Sequence, residues 1–182
     1  MNNSYNSNMA AIASPLSRRD IHHLTAKIRK TFGIKDTEAF PIVNVIELLP
    51  EIDETFNFLI EEDKNMSPNV YAEYFHSSNY MIIAQSVYES ALNGNGRHRF
   101  TLAHELGHYI LIKHGAISFK RMDSAMKIKK YCDPEWQADE FAGNLLVPIS
   151  SITNYSETEI VEKYHVSYRV AEIQKNKNAS WL

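Results

Sequence analysis

A single cysteine, Cys132, stands in a chain of 182 residues, so no disulfide can close within it. Nothing then argues for an oxidising compartment, and the expected setting is the reduced cytoplasm. Long apolar runs are missing as well. Residues 80–84 and 109–112 are typical of the runs present, far short of the ~20 residues that span a bilayer, so no membrane segment is expected. Residues 1–17 hold no Lys or Arg and no sustained apolar stretch, which excludes a secretory signal pattern. Excess positive charge is absent too: 19 Lys and Arg stand against 22 Asp and Glu, a formal net charge of -3. A protein that holds phosphate backbones by bulk charge has the opposite balance, so no direct nucleic-acid partner is expected. What is present is 44% hydrophobic and 11% aromatic residues, enough for one continuous core, and eight histidines.

Residues 1–16 are rich in Asn and Ser and are expected to form a disordered leader, followed by one domain over 17–182. Ile21, Leu24, Ile28 and Phe32 recur at helical spacing, with Arg18, Arg19, Lys27, Arg29 and Lys30 elsewhere and Gly33 placed to end the helix. A second short helix is expected from Pro41 to Leu49, closed by Pro50. Alternation follows. Phe56, Phe58 and Ile60 suit one face of a strand, residues 70–75 a second strand and 80–84 a third, with Ser77, Ser78 and Asn79 turning the last two into a hairpin. After the Asn93–Gly96 loop, residues 97–113 read as a buried helix. A basic connection, with Lys113, Lys120, Arg121, Lys127, Lys129 and Lys130, is long enough to be a candidate lid. Asp133 and Pro134 then suit the cap and first turn of a helix that carries Ala138, Phe141, Ala142 and Leu145 inward and stops before Pro148.

Within the buried helix His104, Glu105 and His108 spell His-Glu-Leu-Gly-His. Residues at i and i+4 share a helix face, so both imidazoles can hold one metal ion, and Glu105 stands beside the first of them as a general base. Zinc with three protein ligands keeps a place for water and lowers its pKa to about 7, which is the chemistry of amide hydrolysis. Composition alone yields about 0.03 such matches by chance in a chain of this length, so context must add to the motif. It does so through Glu135, which opens the 133–147 helix and can complete the ligand set, and Asp139 one turn on, which can accept the free ring N–H of a ligand histidine. Gly107 leaves room for the two helices to approach closely.

The stretch Arg99-Phe100-Thr101-Leu102-Ala103-His104-Glu105-Leu106-Gly107-His108, with Glu135-Trp136-Gln137-Ala138-Asp139-Glu140-Phe141-Ala142-Gly143-Asn144-Leu145-Leu146-Val147-Pro148, resembles the ImmA/IrrE metallo-endopeptidases. That resemblance is densest over 97–148. It implies an α+β, zincin-like domain with a small, mostly antiparallel three-stranded sheet packed on helices, an active-site helix bearing the His-Glu-x-x-His motif and a second, Glu-bearing helix. It further implies Zn2+ held by His104, His108 and Glu135, Glu105 as catalytic base, Asp139 beside them, and cleavage of a helix-turn-helix repressor in stress response or mobile-element regulation. One departure is visible: members often carry a histidine four residues after the second ligand, where Ile112 stands here, with His114 two further on.

Other readings remain beside this one. Glu135 could be a first-turn glutamate favoured by the helix dipole, and Asp139 a surface ion-pair partner. Glu140 points about 100° away and is not expected to bind metal. Cys132 suits a small buried residue, with a zinc ligand or redox switch as its alternative. The segments 157–164 and 167–175 have the outline of a DNA-reading helix-turn-helix, but Glu157, Glu159, Glu162 and Glu172 cancel Lys163, Arg169, Lys175 and Lys177. A zinc-containing regulator or antitoxin-like protein without proteolysis is the remaining alternative; retention of Glu105 argues against a purely structural metal.

Overall fold

Ser17 starts the first helix, α1 (Arg18–Thr31), through a capping box in which its hydroxyl accepts the Asp20 N–H at 3.2 Å and Asp20 accepts the Ser17 N–H at 2.8 Å. The computed structural model describes residues 11–113, 115, 117–119 and 128–179. Ile21 is buried in α1 as its spacing requires, with Leu24, Ile28 and Phe32 half-buried against the core. Arg29, placed on the polar side by sequence, is instead 1% exposed. Its guanidinium donates to the carbonyls of Leu145 at 2.6 Å, Lys35 and Glu38 and lies 3.6 Å from the Asp36 carboxylate, so the buried charge is met by three backbone acceptors and one counter-ion.

Helix α2 (Ile42–Ile52) runs past Pro50 rather than closing before it. The Asp53 N–H still reaches Leu49 O at 2.8 Å, so the last turn is kept. Three strands follow: β2 (Asn57–Glu61), β3 (Ala72–Phe75) and β4 (Tyr80–Ala84), in the order β2-β4-β3. The β3–β4 hairpin is antiparallel as expected, with Asn79 at φ 50 in its turn. The β2–β4 pair is parallel, which corrects the expectation of a mostly antiparallel sheet. Successive strands run up, down and up. β4, with Met81, Ile83 and Ala84 buried, takes the centre, so it lies beside β2 in the same direction. Phe56 belongs to the core just before β2, and Leu59 and Ile60 on that edge strand are exposed.

Helix α3 (Gln85–Leu92), with Val87 and Ala91 buried, has no counterpart in the sequence reading. Next come α4 (Gly96–Lys113), the longest helix among the described residues, and α5 (Pro134–Leu146), capped by the Asp133 carboxylate on the Glu135 N–H at 3.0 Å. A pair of short strands, β1 (Ala11–Ala13) and β5 (Ile117–Phe119), forms a separate antiparallel ribbon. Residues 11–16, expected to belong to the disordered leader, are therefore placed: Ala13 is buried and the Leu16 N–H bonds Tyr131 O at 3.1 Å. Those paired backbone groups hold the segment despite its polar surroundings. Residues 1–10 and the 120–127 part of the candidate lid lie outside the described residues.

The chain ends in α6 (Glu157–Tyr164) and α7 (Tyr168–Ala179), joined at His165 with φ 51. Ile160 and Tyr164 on α6 and Val170, Ala171 and Gln174 on α7 face the core. Arg99 ties this turn to α4, donating to His165 O at 3.0 Å and Phe40 O at 2.7 Å. The mixed helices and small sheet fit the expected α+β, zincin-like class.

Candidate metal centre

Helices α4 and α5 cross where Gly107 removes a side chain. A Cβ there would stand 3.0 Å from Phe141 Cδ1 and 3.3 Å from Ala138 Cα, so only glycine lets the backbones approach this closely. Ala138, Phe141, Ala142 and Leu145 seat α5 on the core. Their periodicity turns the 135 and 139 positions toward α4.

The crossing brings His104 and His108 of α4 together with Glu135 of α5. The two Nε2 atoms lie 3.0 Å apart, His104 Nε2 is 3.3 Å from Glu135 Oε2, and His108 Nε2 is 3.4 Å from Glu135 Oε1. Among the described residues these three are the group of His, Cys, Asp and Glu side chains whose ligand atoms converge at metal distance. Tetrahedral zinc, with ligands at about 2.05 Å, sets its ligand atoms about 3.3 Å apart, so the triangle and its donor set fit such an ion.

Asp139 Oδ1 lies 2.9 Å from His104 Nδ1. That contact leaves Nε2 as the nitrogen turned to the shared site and fixes the ring. Burial disfavours the charged form of His104, but the Asp139 hydrogen bond and the charges of Glu105, Asp139 and Glu135 outweigh it and raise its pKa. At His108 burial and the His104 charge prevail and lower it. Glu135 and Asp139 keep 70% and 60% of their side chains exposed, so the site opens to solvent on the α5 side.

Glu105 is placed from the opposite side. Its Oε2 accepts the backbone N–H of Tyr74 on β3 at 2.9 Å. Burial pushes its carboxyl up to about 7, against the pull of the His104 charge and the Tyr74 N–H. Tyr74 is the contributor sequence reading missed. A backbone donor leaves no trace in residue type, and only the alternation of the 70–75 strand hinted that an edge was available. The hydroxyls of Tyr74 and Tyr109 are committed elsewhere, to Asn79 at 2.6 Å and Asp53 at 2.8 Å.

Cys132, expected to be buried, is half-exposed in the short turn before α5 and does not join the ligand group. The turn, set by the Cys132 N–H on Lys129 O, holds the residue at the rim of the helix start rather than beneath it. Glu140 points away from the metal triangle as expected and pairs with Lys177 Nζ at 2.9 Å.

Two histidines a helical turn apart, a carboxylate closing their triangle and a half-buried glutamate next to the first histidine define the site as a metallopeptidase type. The chain belongs to the M78 peptidase family, described as the IrrE N-terminal-like domain, whose pattern matches residues 53–174. No protein with a curated description matches it. Among solved structures it is similar to a Mycobacterium tuberculosis transcriptional regulator, with 15% identity and a TM-score of 0.57 over 85% of this chain. The match covers 46% of that protein, so this chain spans about half its length, and the likeness is one of fold.

Proposed function

We propose that this protein is a zinc-dependent endopeptidase of the cytoplasm that cleaves a specific protein substrate, a helix-turn-helix transcriptional repressor. The observation that carries the peptidase reading is the placement of Glu105, half-buried, hydrogen-bonded by an edge strand, and next in sequence to a histidine of the ligand triangle. The repressor as substrate rests on the resemblance to ImmA/IrrE enzymes.

His104, His108 and Glu135 would hold the ion, and zinc bound there supplies Lewis acidity toward a peptide carbonyl and toward water. Glu105 takes a proton from the attacking water on its carboxylate and returns it to the nitrogen of the departing amine. Burial raises the Glu105 carboxyl in the metal-free chain, and the charge of a bound dication would lower it again, favouring the carboxylate that accepts the proton. Asp139 keeps His104 in the tautomer that offers Nε2.

Strand β3 supplies a place for the substrate backbone. It lies at the edge of the sheet, and alternation directs the N–H and carbonyl of Ala72 and the carbonyl of Tyr74 toward a substrate, the Tyr74 N–H being held by Glu105. An extended peptide laid along that edge passes beside Glu105, a form of strand addition.

The test is to incubate the zinc-loaded protein with a helix-turn-helix repressor, the first choice being any encoded by a gene adjacent to its own, and to locate the cut by intact-mass spectrometry. A single cut by wild type and none by Glu105→Gln supports the reading. Equal cleavage by both removes Glu105 from the role.

A further inference from the structure

A second cavity of about 730 Å³ opens behind the metal triangle, between the first turns of α4, the middle of α5 and the length of α7. It falls in the size range of small-molecule sites. Asp139 is a shared wall, facing this cavity while its Oδ1 holds His104.

The lining has two characters. Phe100, Trp136, Val170 and Ile173 make an apolar body. Around it stand five cations, Arg18, Arg97, Lys130, Arg169 and Lys177, against the carboxylates of Asp139 and Glu140. Glu140 is 4% exposed and already taken by Lys177 Nζ at 2.9 Å and Arg18 Nε at 3.4 Å. Arg97 and Lys130 instead lie over aromatic faces, 5.4 Å from the Tyr71 ring and 5.9 Å from the Trp136 ring. Arg169 is paired with Glu172 at 2.8 Å, so the excess of positive charge at the mouth comes from Arg97 and Lys130.

The wall also holds an unmet polar group. Gln174 is fully buried, and its Nε2 donates to Val147 O at 2.9 Å, but its Oε1 is buried with no hydrogen-bond partner. Gly143, in the middle of α5, borders the same cavity, and a Cβ there would come within 3.0 Å of that oxygen. Glycine is unfavourable inside a helix, and here it leaves the acceptor room.

We propose that this cavity binds a small, apolar-bodied anion, an aromatic or branched carboxylate or phosphate monoester, distinct from the peptide that occupies the metal site. Phe100 and Trp136 receive the body, and Arg97 and Lys130 the charge. The proposal is independent of peptidase activity.

Calorimetric titration of the full chain with phenyl phosphate tests it, with inorganic phosphate and benzylamine as charge-only and wrong-charge controls. Saturable one-site binding of phenyl phosphate is expected, at least tenfold tighter than either control. The double variant R97Q/K130Q should weaken it at least tenfold. So should Ile173→Glu, which puts a negative charge on a partly exposed wall residue and leaves the core untouched. Near-ultraviolet circular dichroism confirms that each variant keeps its packing. Absence of saturation by 10 mM phenyl phosphate, equal binding of benzylamine, or unchanged affinity in both folded variants would overturn the proposal.

Discussion

The backbone N–H of Tyr74 meets Oε2 of Glu105 at 2.9 Å, joining an edge strand of the sheet to the helix that carries both histidines. One hydrogen bond therefore sets the glutamate's position and the height of the strand above the site. On the function proposed above, the same arrangement separates two roles that share the α4 motif: metal affinity belongs to one face, proton transfer to the next residue along.

That separation gives the first prediction. Glu105→Gln keeps a side chain of the same shape that can still face the Tyr74 N–H, and it leaves the ligand triangle untouched. Zinc content measured by plasma mass spectrometry is expected to stay at one per chain, while cleavage of the substrate falls by about 10²–10⁴-fold, the usual contribution of a general base. Loss of zinc in this variant would place Glu105 among the ligands instead.

Removal of ligands should behave differently from removal of their support. His104→Ala and His108→Ala are expected to abolish zinc binding, whereas Asp139→Asn, which leaves all three ligand atoms in place, should weaken it about 10–100-fold. Competition with a chromophoric chelator reads both. An Asp139→Asn affinity equal to wild type would reduce the 2.9 Å contact with His104 to a surface ion pair.

Much of this site was legible because its chemistry is local. The i, i+4 spacing of His104 and His108 and the cap of Asp133 on α5 depend on neighbours in sequence, and both are found as read. What was hidden depends on distant partners. Arg29 looks like a solvated charge until the carbonyls of Leu145, Lys35 and Glu38 are seen around it. Arg99 is buried for the same reason, against His165 and Phe40. The parallel β2–β4 pairing follows from which strand takes the centre of the sheet, and that choice rests on burial of Met81, Ile83 and Ala84 in the core rather than on any turn signal. Residues 11–16 were judged by composition, which carries no information about the β5 strand that pairs with β1.

The close crossing at Gly107 should be as exacting as the ligands. Gly107→Ala places a methyl 3.0 Å from Phe141 Cδ1 and 3.3 Å from the α5 backbone. The aromatic ring can turn a little but the Ala138 Cα cannot, so the helices must separate. Overpacking of this kind costs about 1–3 kcal/mol, partly offset by the better helix propensity of alanine. Urea unfolding of the metal-free protein is expected to show the loss, and zinc affinity should fall with it, because Glu135 rides on the displaced helix. A stable Gly107→Ala protein with wild-type zinc affinity would show that the crossing has slack.

The far end of α4 carries the acid sensitivity. Asp53 accepts Lys113 Nζ at 2.7 Å, the Thr55 hydroxyl at 2.6 Å, the Tyr109 hydroxyl at 2.8 Å and Asn79 Nδ2 at 3.3 Å. The hydrogen bonds from Lys113, Thr55 and Tyr109 hold its carboxyl well below the ordinary 3.8. A carboxylate whose pKa is lower in the folded chain binds fewer protons there than when unfolded. Its contribution is thus fully present above pH 3.8 and is lost as the pH falls through the depressed folded value. Asp53→Asn should be less stable than wild type at pH 6, and the gap between the two urea midpoints should narrow steadily as the pH falls from 4 toward 2. Taking the difference cancels the titration of every other group common to both proteins. A gap that stays constant from pH 6 to pH 2 would mean that the Asp53 cluster acts through shape alone and that its charge contributes nothing.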